Sequence, residues 1–315
     1  MGSNENSSLS ASLQKMKFAL TRLAGRYTNR PLATVSLLCL FLPALSATAQ
    51  TIEVKLPSGI TAMADYHKGT TSLPTVLLLH GFLQTRQSQP MNSLASNLAS
   101  RGYSVLSPTI SLGINRRSQS MACEAVHTHT ISDDTAEIAH WVSWLGKKGH
   151  KNIVLVGFSS TGNSQILQYI SQGPHPEVKK TILTSFVPMF INLEERQKAR
   201  RAHATKRQAG AGKIAKYSLG YCKHNFASTP ESYLSYASFD PEKIFGLLKQ
   251  SQVSTDIILG AEDFILPAPW LSQLKALKER IITIPGANHF FEGTAEFDLA
   301  EEVETVLKNL HYHSS

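Results

Sequence analysis

The sequence predicts an α/β protein, a mostly parallel sheet with helices on both faces and an inserted helical cap. Three observations lead to this class. Continuous apolar runs of strand length, such as Val76–Leu79 and Ile153–Val156, alternate with stretches whose apolar residues recur at helical spacing. Several of these runs end on His-Gly, Gly-x-Ser or Gly-x-Glu-Asp. The alternation stops over residues 189–245 and then resumes. With 315 residues, 42% hydrophobic and 17% charged, the chain is neither disordered, collagenous nor a coiled coil.

The N-terminal 49 residues stand apart. Leu32–Leu45 is apolar except for Thr34 and Ser36, follows the spaced cations Lys15, Lys17, Arg22, Arg26 and Arg30, and precedes Ala47-Thr48-Ala49. This pattern reads as a secretory signal cleaved near Ala49-Gln50, which would place the mature chain in a periplasm or outside the cell. The run falls short of the ~20 residues that span a bilayer; an uncleaved anchor is the other reading.

In the mature region, Ile52–Leu56 and Ile60–Tyr66 flank Pro57-Ser58-Gly59 as a hairpin. Val76–Leu79 is a strand buried on both faces and ends at His80-Gly81. Met91, Leu94, Ala95 and Leu98 mark a helix that stops at Gly102. Tyr103–Leu106 follows as a strand, then a long loop. Thr130-Ile131-Ser132-Asp133 opens a helix with capping-box chemistry, its apolar stripe being Ile138, Trp141, Val142 and Leu145. Strand Ile153–Val156, a helix from Thr161, and strand Thr181–Thr184 complete the first part. After the interruption come strand Asp256–Leu259, a helix around Trp270–Leu277, strand Ile281–Ile284, and a last helix carrying Leu299, Val303, Val306, Leu307 and Leu310.

The expected domain pattern is therefore a core of residues 50–188 and 246–315, with residues 189–245 as a cap of more than one short helix. The net charge of +8 is concentrated outside the core. Residues 192–217 hold eight basic residues against two acids, and the rest of the mature chain is slightly acidic. A basic run without interleaved aromatics argues against nucleic acid. It is either a solvated helix face or a weak docking surface for an anionic membrane.

Cys39 lies in the apolar run, which leaves Cys123 and Cys222. In an oxidising compartment these two would pair, with a nominal stabilisation of about 4–5 kcal/mol in the chain-entropy model. Two free thiols are the alternative. Cys123, His127, His129, Asp133 and Asp134 also form a sequence cluster of metal-ligand types, although the two carboxylates fit the start of a helix better. No dinucleotide fingerprint, phosphate loop or haem motif is present in the sequence, and no cofactor or metal is expected.

The chemistry points to three loops. Val154–Gly162 runs from an apolar strand through a tight turn into a helix, with Ser159 at the turn. Gly157 supplies the small residue needed two positions before it, whereas Thr161 stands where a second small residue is expected. Reading Ser160 as the turn residue instead places Gly162 in that slot and Phe158 in the first. A serine hydroxyl needs a base and a group to orient that base. Asp263 follows one apolar strand and His289 the next, both where the carboxyl ends of strands form a crevice. Glu262 could replace Asp263, Asp263 could be a helix cap, and His289 could be a surface loop residue.

These segments, together with His80-Gly81-Phe82, Gly260-Ala261-Glu262-Asp263 with Pro267, and Gly286-Ala287-Asn288-His289, resemble the α/β-hydrolase superfamily over essentially the whole mature region. The resemblance implies Ser159 as nucleophile, His289 as base and acid, Asp263 as the residue that holds the imidazole, and the backbone N–H groups of Phe82 and Ser160 as oxyanion hole. Such donors are worth roughly 3–4 kcal/mol each in the transition state. The implied activity is hydrolysis of a small-molecule or lipid-like ester through an acyl-enzyme. The same triad would also serve a peptidase or amidase, and the Thr161 departure leaves room for a non-catalytic envelope binding protein. Phe82, Leu83, Pro188, Met189, Phe190, Trp270, Phe290 and Phe291 are candidates for an acyl pocket or for core closure.

Overall fold

A computed structural model describes residues 49–209 and 213–312. The expected signal run, Cys39, Gly210 and Gly212 lie outside them. In chain order the elements are β1 (Gln50–Lys55), β2 (Thr61–His67), β3 (Thr75–Leu79), α1 (Met91–Ser100), β4 (Ser104–Thr109), α2 (Ile131–Lys147), β5 (Ile153–Phe158), α3 (Ser159–Ser171) and β6 (Val178–Thr184). The inserted segment holds α4 (Leu193–Ala209), β7 (Ala215–Leu219), β8 (Cys222–Ser228), α5 (Pro230–Ala237) and α6 (Pro241–Gln250). β9 (Ser254–Gly260), α7 (Ala268–Lys275), β10 (Arg280–Ile284) and α8 (Ala295–Tyr312) close the chain.

Eight strands form one sheet in the order β1-β2-β4-β3-β5-β6-β9-β10. β1 and β2 pair antiparallel, as do β2 and β4, and every later pairing is parallel. The period-two alternation of strand side chains explains why the central runs are apolar throughout. Val76 and Leu78 of β3 face one core cluster with α1 and α8, while Leu77 and Leu79 face another with α2 and α3. β5 divides in the same way, Val154 and Val156 from Ile153 and Leu155. The connection leaves β3 toward β4 on one side and β5 toward β6 on the other, so the loops after β3 and β5 meet at the switch point of the sheet.

Local signals place the helix starts. The Thr130 hydroxyl accepts from Asp133 N–H and the Asp133 carboxylate accepts from Thr130 N–H, the reciprocal capping box expected at α2. Thr229 caps α5 and Asp240 caps α6, each with proline in the first turn.

The insertion differs from the sequence reading. It contains one helix of 17 residues, α4, rather than only short ones, and an antiparallel hairpin of β7 and β8 that the helical expectation did not include. α6 crosses position 245 and packs on α3. Cys123 and Cys222 are joined by a disulfide across 99 residues. It ties the loop before α2 to the start of β8, where His127 N–H also donates to Ala227 O and Ala227 N–H to Cys123 O.

Candidate active site

Three loops at the carboxyl ends of β5, β9 and β10 converge. Ser159 closes β5 with φ of +59°, a left-handed backbone that costs a non-glycine residue on the order of 1–3 kcal/mol. Ser160 is already an ordinary helical residue, so the strained turn belongs to Ser159, and α3 begins there rather than at Thr161. On the helix side of the turn the crowded position is Gly162 rather than Thr161, and on the strand side it is Gly157, where a Cβ would lie 2.6 Å from Asn163 Oδ1. A Cβ at Gly162 would lie 2.8 Å from the His80 carbonyl oxygen and 3.0 Å from that of Leu79. Thr161 is buried and accommodated without a hydroxyl partner.

Ser159 Oγ stands 2.9 Å from His289 Nε2, and His289 Nδ1 stands 2.8 Å from Asp263 Oδ2. A carboxylate only accepts, so Nδ1 carries the proton and Nε2 offers its lone pair to the serine hydroxyl. The second carboxylate oxygen, Oδ1, accepts from Ile265 N–H at 2.9 Å. Asp263 and His289 are 7% and 3% exposed. Glu262 is exposed and does not reach the imidazole. The loop bearing His289 is brought down by a close approach to Gly260, whose Cβ would lie 2.3 Å from the Ala287 carbonyl oxygen. Glu262 N–H donates to Ala287 O, and the Ser185 hydroxyl donates to His289 O at 2.5 Å. The rings of Phe158 and Phe290 flank the imidazole.

The loop after β3 forms the opposite wall. His80 is buried, with Nδ1 donating to Gly81 O at 2.8 Å and Nε2 accepting from Ile110 N–H at 3.1 Å. Burial, then the guanidiniums of Arg117 and Arg86, push its pKa down to about 3, so it is a neutral spacer. Arg117 donates from Nε to Ile110 O, from Nη1 to Gln119 O and Leu83 O, and from Nη2 to Gln84 O, with Nη2 also 3.2 Å from His80 Nε2. Burial lowers the Arg117 pKa only to about 10, with Asp134 and Glu137 opposing the shift, so the group stays cationic at neutral pH. Sequence reasoning missed Arg117; one of two adjacent arginines in a loop carries no local sign of this role.

A crevice of about 260 Å³ opens over Ser159, lined by Phe82, Ser160 and His289 among others. The first turn of α3 has no side-chain cap, which leaves its N–H groups and helix dipole available to negative charge. Of the expected pocket residues, Phe82, Pro188, Phe190 and Phe290 line this crevice, joined by Val187, Tyr221 and Ile265, which the sequence reading did not include. Met189 lines an adjoining pocket with Phe190 and Ile265. Leu83, Trp270 and Phe291 are core residues instead, Trp270 donating its indole N–H to Phe186 O. Phe82 rests its ring on Tyr221 and Phe226 of the inserted hairpin.

The metal-type cluster does not assemble. Cys123 is in the disulfide, and His127 donates from Nε2 to Ala122 O and stacks on Phe226. Asp133 caps α2, while Asp134 accepts from Gln165 and from the Tyr236 hydroxyl, beside His129. Among the described residues no group of His, Cys, Asp and Glu converges as a metal site.

No family model and no curated protein matches the sequence. Solved structures do resemble it. Est1E from Butyrivibrio proteoclasticus is 15% identical over 84% of this chain and 98% of its own, with a TM-score of 0.58. The alpha/beta hydrolase GrgF from Penicillium sp. sh18 is 13% identical over 84% and 98%, with a TM-score of 0.61. An alpha-beta serine hydrolase homologue from Coxiella burnetii is 14% identical over 82% and 98%, with a TM-score of 0.52. At these identities the likeness establishes the fold, and that fold is the α/β-hydrolase fold.

Proposed function

We propose that the protein is an exported serine hydrolase that cleaves carboxylic esters through an acyl-enzyme. The observation that carries this reading is the continuous chain from Ser159 Oγ through His289 to Asp263 at the floor of an apolar crevice. In this reading Ser159 Oγ attacks the ester carbonyl carbon as its proton passes to His289 Nε2. The oxyanion is held by the N–H groups of Phe82 and Ser160. His289 returns the proton to the departing alkoxide, and water then repeats the sequence on the acyl-enzyme. Asp263 keeps the imidazole in the productive tautomer throughout.

The crevice walls of Phe82, Val187, Phe190, Tyr221, Ile265 and Phe290 favour an apolar acyl or alkyl group, hence a small or lipid-like ester. At the rim of the crevice Phe190 is exposed, as are Leu193, Lys198, Arg200 and Arg201 of α4. This pairing of apolar and cationic side chains supports weak association with an anionic membrane surface, fading as salt rises. The disulfide accords with an oxidising compartment, and therefore with export.

Fluorophosphonate labelling tests the reading. The folded wild-type protein should be modified at Ser159, Ser159→Ala should not label, and Ser160→Ala should. A chromogenic ester panel graded by acyl length should then show turnover. Absence of Ser159 modification in folded protein would count against the enzyme.

A further inference from the structure

We infer that the side-chain amide of Gln84 is a third hydrogen-bond donor to the oxyanion, beside the backbone groups of Phe82 and Ser160. This inference rests on the ester-hydrolase reading above. Gln84 lines the same crevice as Ser159, Ser160, Phe82 and His289. Its Oε1 accepts from Gly81 N–H at 3.1 Å. Only the oxygen of an amide can accept from an N–H, so this bond sets which end is which. Nε2 is then left with both of its N–H donors and no protein acceptor among the described residues.

The main chain that carries this side chain is held at both ends. Gln84 N–H donates to Gly81 O at 3.2 Å, and Gln84 O receives Arg117 Nη2 at 2.6 Å. The preceding carbonyl, Leu83 O, receives Met121 N–H, and Leu83 itself is left-handed at φ +56°. A glutamine in solvent loses rotamer freedom when it binds, whereas the bond from Gly81 N–H to Oε1 already tethers this side chain before substrate arrives. A tethered neutral donor in an apolar-walled crevice favours the state in which negative charge grows on oxygen.

Two variants test this assignment. Gln84→Met removes the donor, and Gln84→Glu keeps an oxygen for Gly81 N–H while replacing the donor with an acceptor. Each should lower kcat on a chromogenic ester by about a hundredfold at mildly alkaline pH, with KM changed by less than about threefold. The ratio of Gln84→Glu to wild-type kcat should rise as pH falls, because the protonated carboxyl regains an O–H donor; Gln84→Met should show no such recovery. A kcat for Gln84→Met close to wild type, a loss confined to KM, or a flat pH ratio for Gln84→Glu would overturn the inference. Wild-type protein that hydrolyses no ester in the panel would overturn the underlying reading instead, so the two failures are separable.

Discussion

Arg117 holds the loop after β3 at Gln84, where Nη2 donates to the main-chain carbonyl at 2.6 Å while the rest of the guanidinium reaches Ile110, Leu83 and Gln119. One buried planar group thus organises the wall facing Ser159. Arg117→Met strands several carbonyls and should lower the free energy of unfolding by about 3 kcal/mol or more, measured by urea denaturation. Arg117→Lys keeps the charge but not the fork. It should retain more stability and still lose turnover, by about tenfold in kcat. Wild-type kinetics in Arg117→Lys would show that the clamp does not shape the site.

The bond between His289 Nδ1 and Asp263 Oδ2 makes a sharper prediction. His289→Ala should cut kcat by several orders of magnitude while circular dichroism stays native. Asp263→Asn preserves shape but can present an N–H to the ring, turning the proton to the wrong nitrogen. A loss of about 10⁴ in kcat is expected. Unchanged turnover in either variant would remove that residue from the mechanism.

The disulfide can be tested without activity. Alkylation of the denatured mature chain, without residues 1–49 and hence without Cys39, should add no mass before reduction and modify Cys123 and Cys222 after it. Replacing both with serine should cost about 4 kcal/mol of stability, since the closed loop is long. Mass added before reduction would mean free thiols.

Glu137 gives a pH dependence of stability. Its carboxyl is buried on α2, accepting from Ser111 N–H and Trp141 Nε1 with Asp134 nearby, and burial raises its pKa to about 7. The folded state therefore holds a proton that the unfolded chain releases near 4.5. Stability from this group is complete below that lower value and declines as pH rises through about 7, by about 3 kcal/mol as an upper figure. Glu137→Gln should flatten the slope of unfolding free energy between those limits, even though the variant is less stable overall. An identical slope in the two proteins would assign the dependence elsewhere.

How much of this was legible in the sequence depends on whether a residue's task is local. Val76–Leu79 reads as a central strand because both its faces are buried, and Thr130 with Asp133 reads as a helix start because the two residues cap each other. Ser159, Asp263 and His289 are visible because each lies in the loop or turn just past the end of a strand. The β7–β8 hairpin is obscured by polar and charged residues within its strands and by the basic run before it. Leu83, Trp270 and Phe291 look like pocket residues because an apolar loop side chain gives no sign of which way it faces. Arg117 and Gln84 act only through partners far along the chain or through open donors, and no periodicity marks them.

Phe82 takes its footing from Tyr221 and Phe226, which lie on either side of Cys222. Excising residues 189–245 to obtain a minimal catalytic core would therefore do more than uncover the crevice. It would pull the support from under the backbone that faces the reacting carbonyl and leave Cys123 without its partner. A truncated variant that binds ester yet turns it over slowly is the outcome to expect.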